Sequence, residues 1–412
     1  MPDYDAVVIG AGAAGLAAAR TLVEGGHSVR VLEARTRAGG RAHTDETTFG
    51  VPVDLGCAWL HNGDVNPFRP IAKRLGFHVV EEEPRWRGRV GKGTMSQAES
   101  DALDEAIDGY FATLRSAGAA GKDVSAAALL PPDGLGRPLF DAIVSWIYSV
   151  DIEQLSTLDE AHFAESLHNW PIREGYGSLV AAYGAGLPVS LSTPATRIDW
   201  SGKRVRIETR AGTLNASIAI VAVPPSLLAA EDLVFRPRLP DVKRAAIENL
   251  PLGVVDKAVF RISGDPFGLP ADSHVMAHGD RRRTCSLQIR PFNYPIVSCY
   301  FGGAYARELE EQDGLGQAAR EAIADAFGAN ALASLSEPLV SSWFCDPWSR
   351  GGYSAARPGH GNCRTDLAAP IADRLFFAGE ATSPLYAATC HGAHLTGIAA
   401  GKAAAKALAR RA

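Results

Sequence analysis

Cysteine, excess positive charge and long apolar runs are all scarce in this chain, and each scarcity argues against a class of function. Cysteine occurs six times, at Cys57, Cys285, Cys299, Cys345, Cys363 and Cys390, and never as a CxxC pair. Thiols scattered this thinly argue against structural zinc and against a disulfide framework, and they fit a reducing, cytoplasmic location. The 41 Lys and Arg are outnumbered by 46 Asp and Glu, for a formal net charge of −5. Nothing here recruits nucleic acid by bulk electrostatics. No apolar run is long enough to span a membrane. No signal peptide is expected, because Asp5 to Gly10 already reads as a strand. Internal repeats are missing too, and the low-complexity stretches are alanine-rich helices.

What remains is an ordinary globular composition, 46% hydrophobic and 21% charged. At 412 residues the chain is too long for one ordinary core and suggests about two domains. The opening is a βαβ unit: "DAVVIG" reads as a strand, "AGAAGLAAARTLVEGG" as a turn and helix, "HSVRVLEA" as a second strand. Its turn carries Gly10, Gly12 and Gly15 in the pattern G-x-G-x-x-G. The first glycine permits the tight turn, the second lets backbone approach a pyrophosphate, and the third lets helix pack on strand. The helix N-terminus offers free N–H groups to phosphate. Glu33 ends the second strand, where an acid holds ribose hydroxyls. Together these features specify dinucleotide binding, to NAD or FAD. Gly39, Gly40 and Arg41 form a second glycine–arginine cradle just beyond Glu33, for which an NAD enzyme has no particular need.

Farther along, "SQAESDALDEAIDGYFATLRSAG" and "PLFDAIVSWIYSV" have helical spacing, joined by a loop. Turns at Ser201-Gly202 and Ala211-Gly212 divide the next stretch into a strand meander. "RRTCSLQIR" and "IVSCYFGG" read as strands, "GLGQAAREAIADAFG" as a helix, and "DRLFFAGEATS" as a strand and turn before a final helix. Within "NLPLGVVDKAVFRI", Lys257 shares a strand face with Val255 and Val259. Such a lysine either snorkels to water or has a partner, since an unpaired buried ammonium is costly.

The motifs "VVIGAGAAGL", "LEARTRAGGR", "DLGCAWLHNGDVNPF", "EGYGSLV", "VAVPPSLL", "LPLGVVDKAVF", "WFCDPWSRGGYS" and "LFFAGEATSPLYAATCHGAHLTG" run in order through nearly the whole chain. In this they resemble the flavin-dependent amine oxidase family of monoamine oxidases, polyamine oxidases and histone demethylases. The active-site motifs are most similar to those of polyamine oxidases. The resemblance implies an α/β fold: a doubly wound, Rossmann-type FAD-binding domain (GR2-type) with an inserted α+β substrate domain. Residues 1–76, 171–246 and 343–412 would then form the FAD domain. Residues 77–170 (helical) and 247–342 (sheet) would form the substrate domain.

Carried over position by position, the resemblance sets FAD against Gly10, Gly12, Ala13, Ala14 and Gly15, then Glu33, Ala34, Arg35, Gly40 and Arg41. It continues with Gly56, Cys57, Ala58, Trp59, Ala195 (backbone to adenine), Trp348, Gly379, Glu380, Ala388 and Thr389. Trp343 and Trp348 would pack near the isoalloxazine. Lys257 matches the lysine that holds a water at flavin N5, which answers the question of its partner. Tyr353 matches an aromatic that guides the amine. Thr389 stands where monoamine oxidases carry a second aromatic, which implies a wider, polyamine-type channel. His61 matches a histidine over that channel; otherwise it is a structural histidine beside Trp59. Gly352 replaces the cysteine that links flavin covalently, so FAD should be bound non-covalently. Asp54 is expected to organise its own loop, and Glu81-Glu82-Glu83 to be a solvated face or an acidic channel rim.

The implied reaction removes hydride from the carbon next to a neutral amine. The imine hydrolyses to an aldehyde, and O2 takes the electrons as hydrogen peroxide. The expected partners are a small-molecule amine and O2, with no nucleic acid and no membrane. An L-amino-acid oxidase or a carotenoid-type desaturase on the same fold is the alternative. The former needs a cation for its carboxylate, for which "RPFNYP" and "GDRRRT" offer arginines. A flavoprotein kept for binding alone fits poorly with the retention of Lys257 and Tyr353. The long helical insertion of a chromatin demethylase is missing.

Overall fold

The computed structural model describes residues 3–83, 85–90, 96–277 and 283–411. Two sheets organise it. The larger has eight strands, in the order Val234–Arg236, Ala195–Asp199, Val205–Thr209, Gly212–Val221, Asp3–Ile9, Val29–Leu32 and Val189–Ser190, with Leu375–Phe377 also paired to Gly212–Val221. That long strand pairs in two ways. Its first half lies antiparallel to Val205–Thr209, while Ala219 to Val221 run parallel to Leu375–Phe377. The expected meander is therefore the antiparallel wing of a parallel nucleotide-binding sheet.

The strands Asp3–Ile9 and Val29–Leu32 form because short runs of valine and isoleucine, buried on both faces, suit a parallel sheet. The helix between them spans Ala13–Glu24 and stops at Gly25-Gly26. It packs against the final helix, Cys390–Ala409, so closely that a Cβ on Gly397 would lie 2.1 Å from the Ala14 carbonyl oxygen. Leu16 and Leu22 are fully buried there, each worth about 1.5–3 kcal/mol.

The second sheet has six strands, ordered Leu339–Val340, Val255–Arg261, Ile296–Gly302, Cys285–Ile289, Ser273–Ala277 and Arg85–Val90. Its strands come from residues 85–90 and 255–340, whereas the large sheet draws on 3–32, 189–236 and 375–377. Ala258, Phe260, Val297, Cys299 and Phe301 on one face join the core with the helices Gly303–Glu311 and Leu315–Phe327. The opposite face lines a cavity. The long helix Gln97–Ala119 starts with a capping box, Ser96 with Glu99, and the helix Arg137–Tyr148 follows across a loop. No described helix is long and apolar enough to cross a membrane.

Several elements were not marked by the sequence, among them the strands Arg85–Val90 and Ser273–Ala277 and the helices Phe68–Leu75, Tyr176–Tyr183, Asp241–Glu248 and Gly303–Glu311. The strand Ser273–Ala277 exists through its pairing with Cys285–Ile289, a tertiary partnership that outweighs weak local propensity.

Candidate active site

Between the two sheets lies a cavity of about 1620 Å³. That exceeds the roughly 300–1,000 Å³ of a pocket for one drug-sized ligand, leaving room for a dinucleotide and a second molecule. Its lining includes every expected cofactor residue except Gly15: Gly10, Gly12, Ala13, Ala14, Glu33, Ala34, Arg35, Gly40, Arg41, Gly56, Cys57, Ala58, Trp59, Ala195, Trp348, Gly379, Glu380, Ala388 and Thr389. Lys257, Tyr353 and His61 line it as well. Gly15 has the other task of its motif, because a Cβ there would sit 1.8 Å from the Gly10 carbonyl oxygen. Gly10 adopts φ +100°, which a residue with a side chain rarely does.

The glycine loop fits a pyrophosphate. A Cβ on Gly12 would meet no atom closer than 3.9 Å, so it would project into the cavity and fill the cradle. The helix it opens has no side-chain cap, which leaves first-turn N–H groups for an anion. Glu33 accepts from the Ala11 amide at 2.7 Å and the Arg35 amide at 2.8 Å, holding the carboxylate at the cavity edge.

Arg41 of the second cradle and the nearby Arg35 are already engaged. Arg35 pairs with Asp346 (Nη2 to Oδ1 2.7 Å) and Ser349 at 2.6 Å. Arg41 donates to Glu380 at 3.0 Å and to the Gly352 carbonyl. Glu380 also accepts from Ser354 Oγ at 2.6 Å and the Ala388 amide at 3.1 Å. Ser354 accepts from Arg364, which forks onto Asp159 at 2.6 and 2.7 Å. This buried chain of charges ties segments far apart in sequence and fixes the Glu380 carboxylate. A fork onto a carboxylate is the arrangement in which buried arginine is well satisfied.

Lys257 does not snorkel. Its ammonium is buried and donates to the carbonyls of Asp54 (2.7 Å) and Gly56 (2.8 Å). Trp343 Nε1 takes the carbonyl between them, Leu55, at 3.0 Å. Three consecutive carbonyls of this cavity-wall loop are thus held by the second sheet and the segment after it. Burial lowers the lysine's pKa, and the nearby Asp54 opposes that shift.

Asp54 does more than order its own loop. Its carboxylate accepts from Thr44 Oγ1 at 2.5 Å, the Tyr176 amide at 2.9 Å and the Gly177 amide at 3.1 Å, capping the helix Tyr176–Tyr183. His61 is not stacked on Trp59, whose ring neighbour is His274 at 6.1 Å. Instead His61 Nδ1 lies 2.5 Å from Asn169 Oδ1, and burial lowers its pKa. His391 and His394, farther in, are pushed down to about 3 and about 4 by burial, so these imidazoles are neutral at pH 7. Glu83 is not merely solvated: it lines the cavity and accepts from Trp170 Nε1 at 2.9 Å, with His168 at 2.7 Å. Glu81 pairs with Arg69 at 2.7 Å.

Thr389 lines the cavity, but its hydroxyl is turned to the backbone. It accepts from the Gly392 amide at 3.0 Å and donates to the Tyr386 carbonyl at 2.8 Å, forming the N-cap of the last helix. Tyr353 donates to the Trp146 carbonyl and lies 3.1 Å from the hydroxyl of Tyr300. Tyr300 and Trp146 line the cavity and were not singled out in the sequence. For Tyr300 the available signal was alternation in "IVSCYFGG", which leaves the partner strand and register undefined.

The chain belongs to the flavin-containing amine oxidoreductase family, whose model matches residues 13–114 and 145–405. It is an FAD-dependent oxidoreductase acting on amines. It is similar to polyamine oxidase 3 of Oryza sativa subsp. japonica, 30% identical over 96% of this chain and 88% of that one. Polyamine oxidase 2 of Arabidopsis thaliana is 28% identical over 96% of this chain and 86% of its own length. Among solved structures, a redesigned double mutant of putrescine oxidase superposes with a TM-score of 0.79. It is 21% identical and covers 99% of this chain and all of that one, a likeness of fold.

Proposed function

We propose that this chain oxidises polyamines or related secondary amines, with O2 as electron acceptor and hydrogen peroxide as product. The observation that carries the reading is the charge along the cavity. Glu83, Asp108 and Glu165 line it yet are exposed, so they mark its outer end, and Asp104 lies one turn from Asp108 on the same helix face. Arg115 offsets Glu165 at 3.2 Å, and Glu83 is shared with His168. Carboxylates placed at the mouth favour entry of a multiply charged cation. Deeper in, the histidines are neutral and Arg35 and Arg41 are paired with carboxylates. Lys257, held on two carbonyls, is a buried cation set against this face.

FAD supplies the hydride acceptor when bound. The chain's own residues exclude water and position the amine. A dry cavity disfavours the ammonium form, so burial helps deliver the neutral amine whose lone pair drives hydride departure. Tyr353 presents an aromatic wall. The third N–H of Lys257 is the donor available for an ordered water. Six free thiols, with Cys57 beside Cys390 and Cys285 beside Cys299, support a reducing, cytoplasmic setting.

One observation favours an amino-acid substrate instead: Arg173 lines the cavity, with its guanidinium 5.3 Å from the Phe292 ring centre. The arginines suggested by sequence do not serve. Arg290 turns to the Leu269 carbonyl and Asp265. Arg283 does not line the cavity, and Arg281 and Arg282 lie outside the described residues.

Anaerobic mixing with polyamines, monoamines and amino acids, read by bleaching of flavin absorbance, tests the assignment. Polyamines should bleach fastest. Faster bleaching by an amino acid or a small monoamine would overturn it.

A further inference from the structure

Tyr300 sits directly opposite Lys257 across the pair of strands Val255–Arg261 and Ile296–Gly302. On its strand Ser298 and Tyr300 face the cavity while Cys299 and Phe301 face the core. The Lys257 ammonium is 5.8 Å from the Tyr300 ring centre. Tyr300 therefore stands between the buried lysine and Tyr353, its hydroxyl 3.1 Å from that of Tyr353.

The direction of that hydrogen bond follows from its surroundings. Tyr353 donates to the carbonyl of Trp146, which lies in the last turn of the helix Arg137–Tyr148 and is one of the carbonyls a helix end leaves without an intrahelical partner. A carbonyl only accepts, so the single proton of Tyr353 is committed there. The Tyr300 hydroxyl must then be the donor between the two tyrosines. Two further bonds, from Ser149 Oγ at 2.8 Å and the Gly253 amide at 3.0 Å, fix the Tyr353 carbonyl. Tyr353 is clamped at both its backbone and its hydroxyl.

The consequence falls on Tyr300. Its proton is used, and Tyr353 is its only hydrogen-bond partner among the described residues. Its oxygen lone pairs remain on a cavity wall, made more electron-rich by donation along the chain Tyr300, Tyr353, Trp146 carbonyl. We infer that Tyr300 is the acceptor that binds the N–H of the substrate amine, so that this site selects amines bearing at least one N–H over tertiary amines. The inference rests on the amine-oxidase reading of the cavity and names which amines it takes. The arrangement matters chemically. A neutral amine that donates its N–H to Tyr300 keeps its lone pair free for hydride departure, whereas a hydroxyl donating to that lone pair would hold it back. By taking the Tyr300 proton, Tyr353 keeps the acceptor an acceptor.

Two substitutions separate these roles from simple packing. Tyr300→Phe removes the acceptor and with it the bond to Tyr353, whose own proton stays on the Trp146 carbonyl. Tyr353→Phe removes the group that engages the Tyr300 proton, leaving it free to donate to the amine nitrogen. Binding is read without turnover using 1-aminobicyclo[2.2.2]octane, an N–H-bearing amine with no hydrogen on the carbon bearing nitrogen, and quinuclidine, a tertiary amine of the same size whose bridgehead nitrogen cannot form an iminium. Perturbation of the flavin spectrum of the FAD-loaded protein reports their affinity. Wild type should prefer the N–H-bearing probe by about fivefold, the factor one ordinary hydrogen bond supplies, and Tyr300→Phe should cut that preference to within about twofold of unity. In anaerobic reduction by an oxidisable secondary amine, Tyr300→Phe should raise the half-saturating concentration more than it slows the limiting rate. Tyr353→Phe should do the reverse. An N–H preference that survives intact in Tyr300→Phe, or one missing from wild type, overturns the inference. Failure of every amine to bleach the flavin would count against the oxidase reading alone, because the probe affinities are measured independently of it.

Discussion

The Lys257 ammonium lies 2.7 Å from the carbonyl oxygen of Asp54, a residue 203 positions earlier in the chain. With the Gly56 carbonyl at 2.8 Å, this contact locks the second sheet to a loop that lines the cavity. A buried ammonium is tolerable here because two backbone dipoles replace water.

Replacing Lys257 by Met keeps the stem and removes the donors. Lys257→Met should still bind FAD, since the glycine loop and Glu33 are untouched. Either flavin reduction or reoxidation should slow by at least about tenfold, roughly 1.4 kcal/mol of barrier. Stopped-flow absorbance in both half-reactions checks this, and unchanged rates in both would assign the lysine a purely structural role.

FAD should leave the protein on acid or heat precipitation. Gly352 lines the cavity without a thiol to link the flavin, and a Cβ there would already press on Val255 at 2.8 Å. Cys57 and Cys390 also line the cavity, but their side chains are hydrogen-bonding partners, and that contact together with burial raises the Cys57 pKa. A thiol held protonated is a poor nucleophile. Yellow colour that stays with the denatured chain would contradict non-covalent binding.

Asp256, next to Lys257 but on the opposite strand face, predicts a pH effect. Its Oδ1 accepts from Ser341 Oγ at 2.7 Å and the Trp343 amide at 3.3 Å. Its Oδ2 has no donor in reach, though protonated it can donate to Glu310. Burial, then the Glu310 carboxylate, push its pKa up to about 9. A carboxyl raised in the fold is protonated there and ionised when unfolded. Its stabilising contribution is therefore complete below the unfolded value near 3.8 and is lost as pH climbs toward 9. Glu310, shifted down by its donors, contributes in the opposite sense only at acid pH. Asp256→Asn keeps the acceptor and supplies a permanent donor to Glu310. Its Tm should fall less than that of wild type between pH 6 and pH 9, and parallel Tm curves would refute the shared proton.

How much of this was legible in the sequence follows from how local each signal is. Gly10, Gly12, Gly15 and Glu33 belong to one βαβ unit, so spacing alone located the nucleotide cradle. Lys257 betrayed itself as a charge in an apolar strand, yet its partners, the Asp54 and Gly56 carbonyls, leave no trace in side-chain identity. Tyr300 was hidden because strand alternation tells which residues share a face and not which strand lies opposite. The Arg364–Asp159 fork and the Arg41–Glu380 pair join segments more than two hundred residues apart, where identity gives no hint of pairing.

Thr389 shows how a position can have two jobs that a single substitution confuses. Its place on the cavity wall implies that an aromatic there would narrow the passage beside Tyr353. Its hydroxyl also caps the helix Cys390–Ala409 through the Gly392 amide, a bond whose loss typically costs about 1 kcal/mol. Three variants separate the effects. Thr389→Ser retains the cap and the width, Thr389→Ala loses the cap alone, and Thr389→Tyr loses the cap and adds bulk. Alanine and tyrosine should therefore share a loss of stability that serine escapes, measured as Tm or denaturant midpoint. Substrate preference should follow a different order. A long, flexible polyamine draws on remote contacts to orient its reacting carbon, so narrowing the passage should cost it more than it costs a benzylamine-sized substrate. Only Thr389→Tyr should shift the ratio of kcat/KM for the two, by about tenfold. Should alanine shift that ratio as far as tyrosine does, the cap and its placement of the helix would govern selectivity, and Thr389 would not act as a wall.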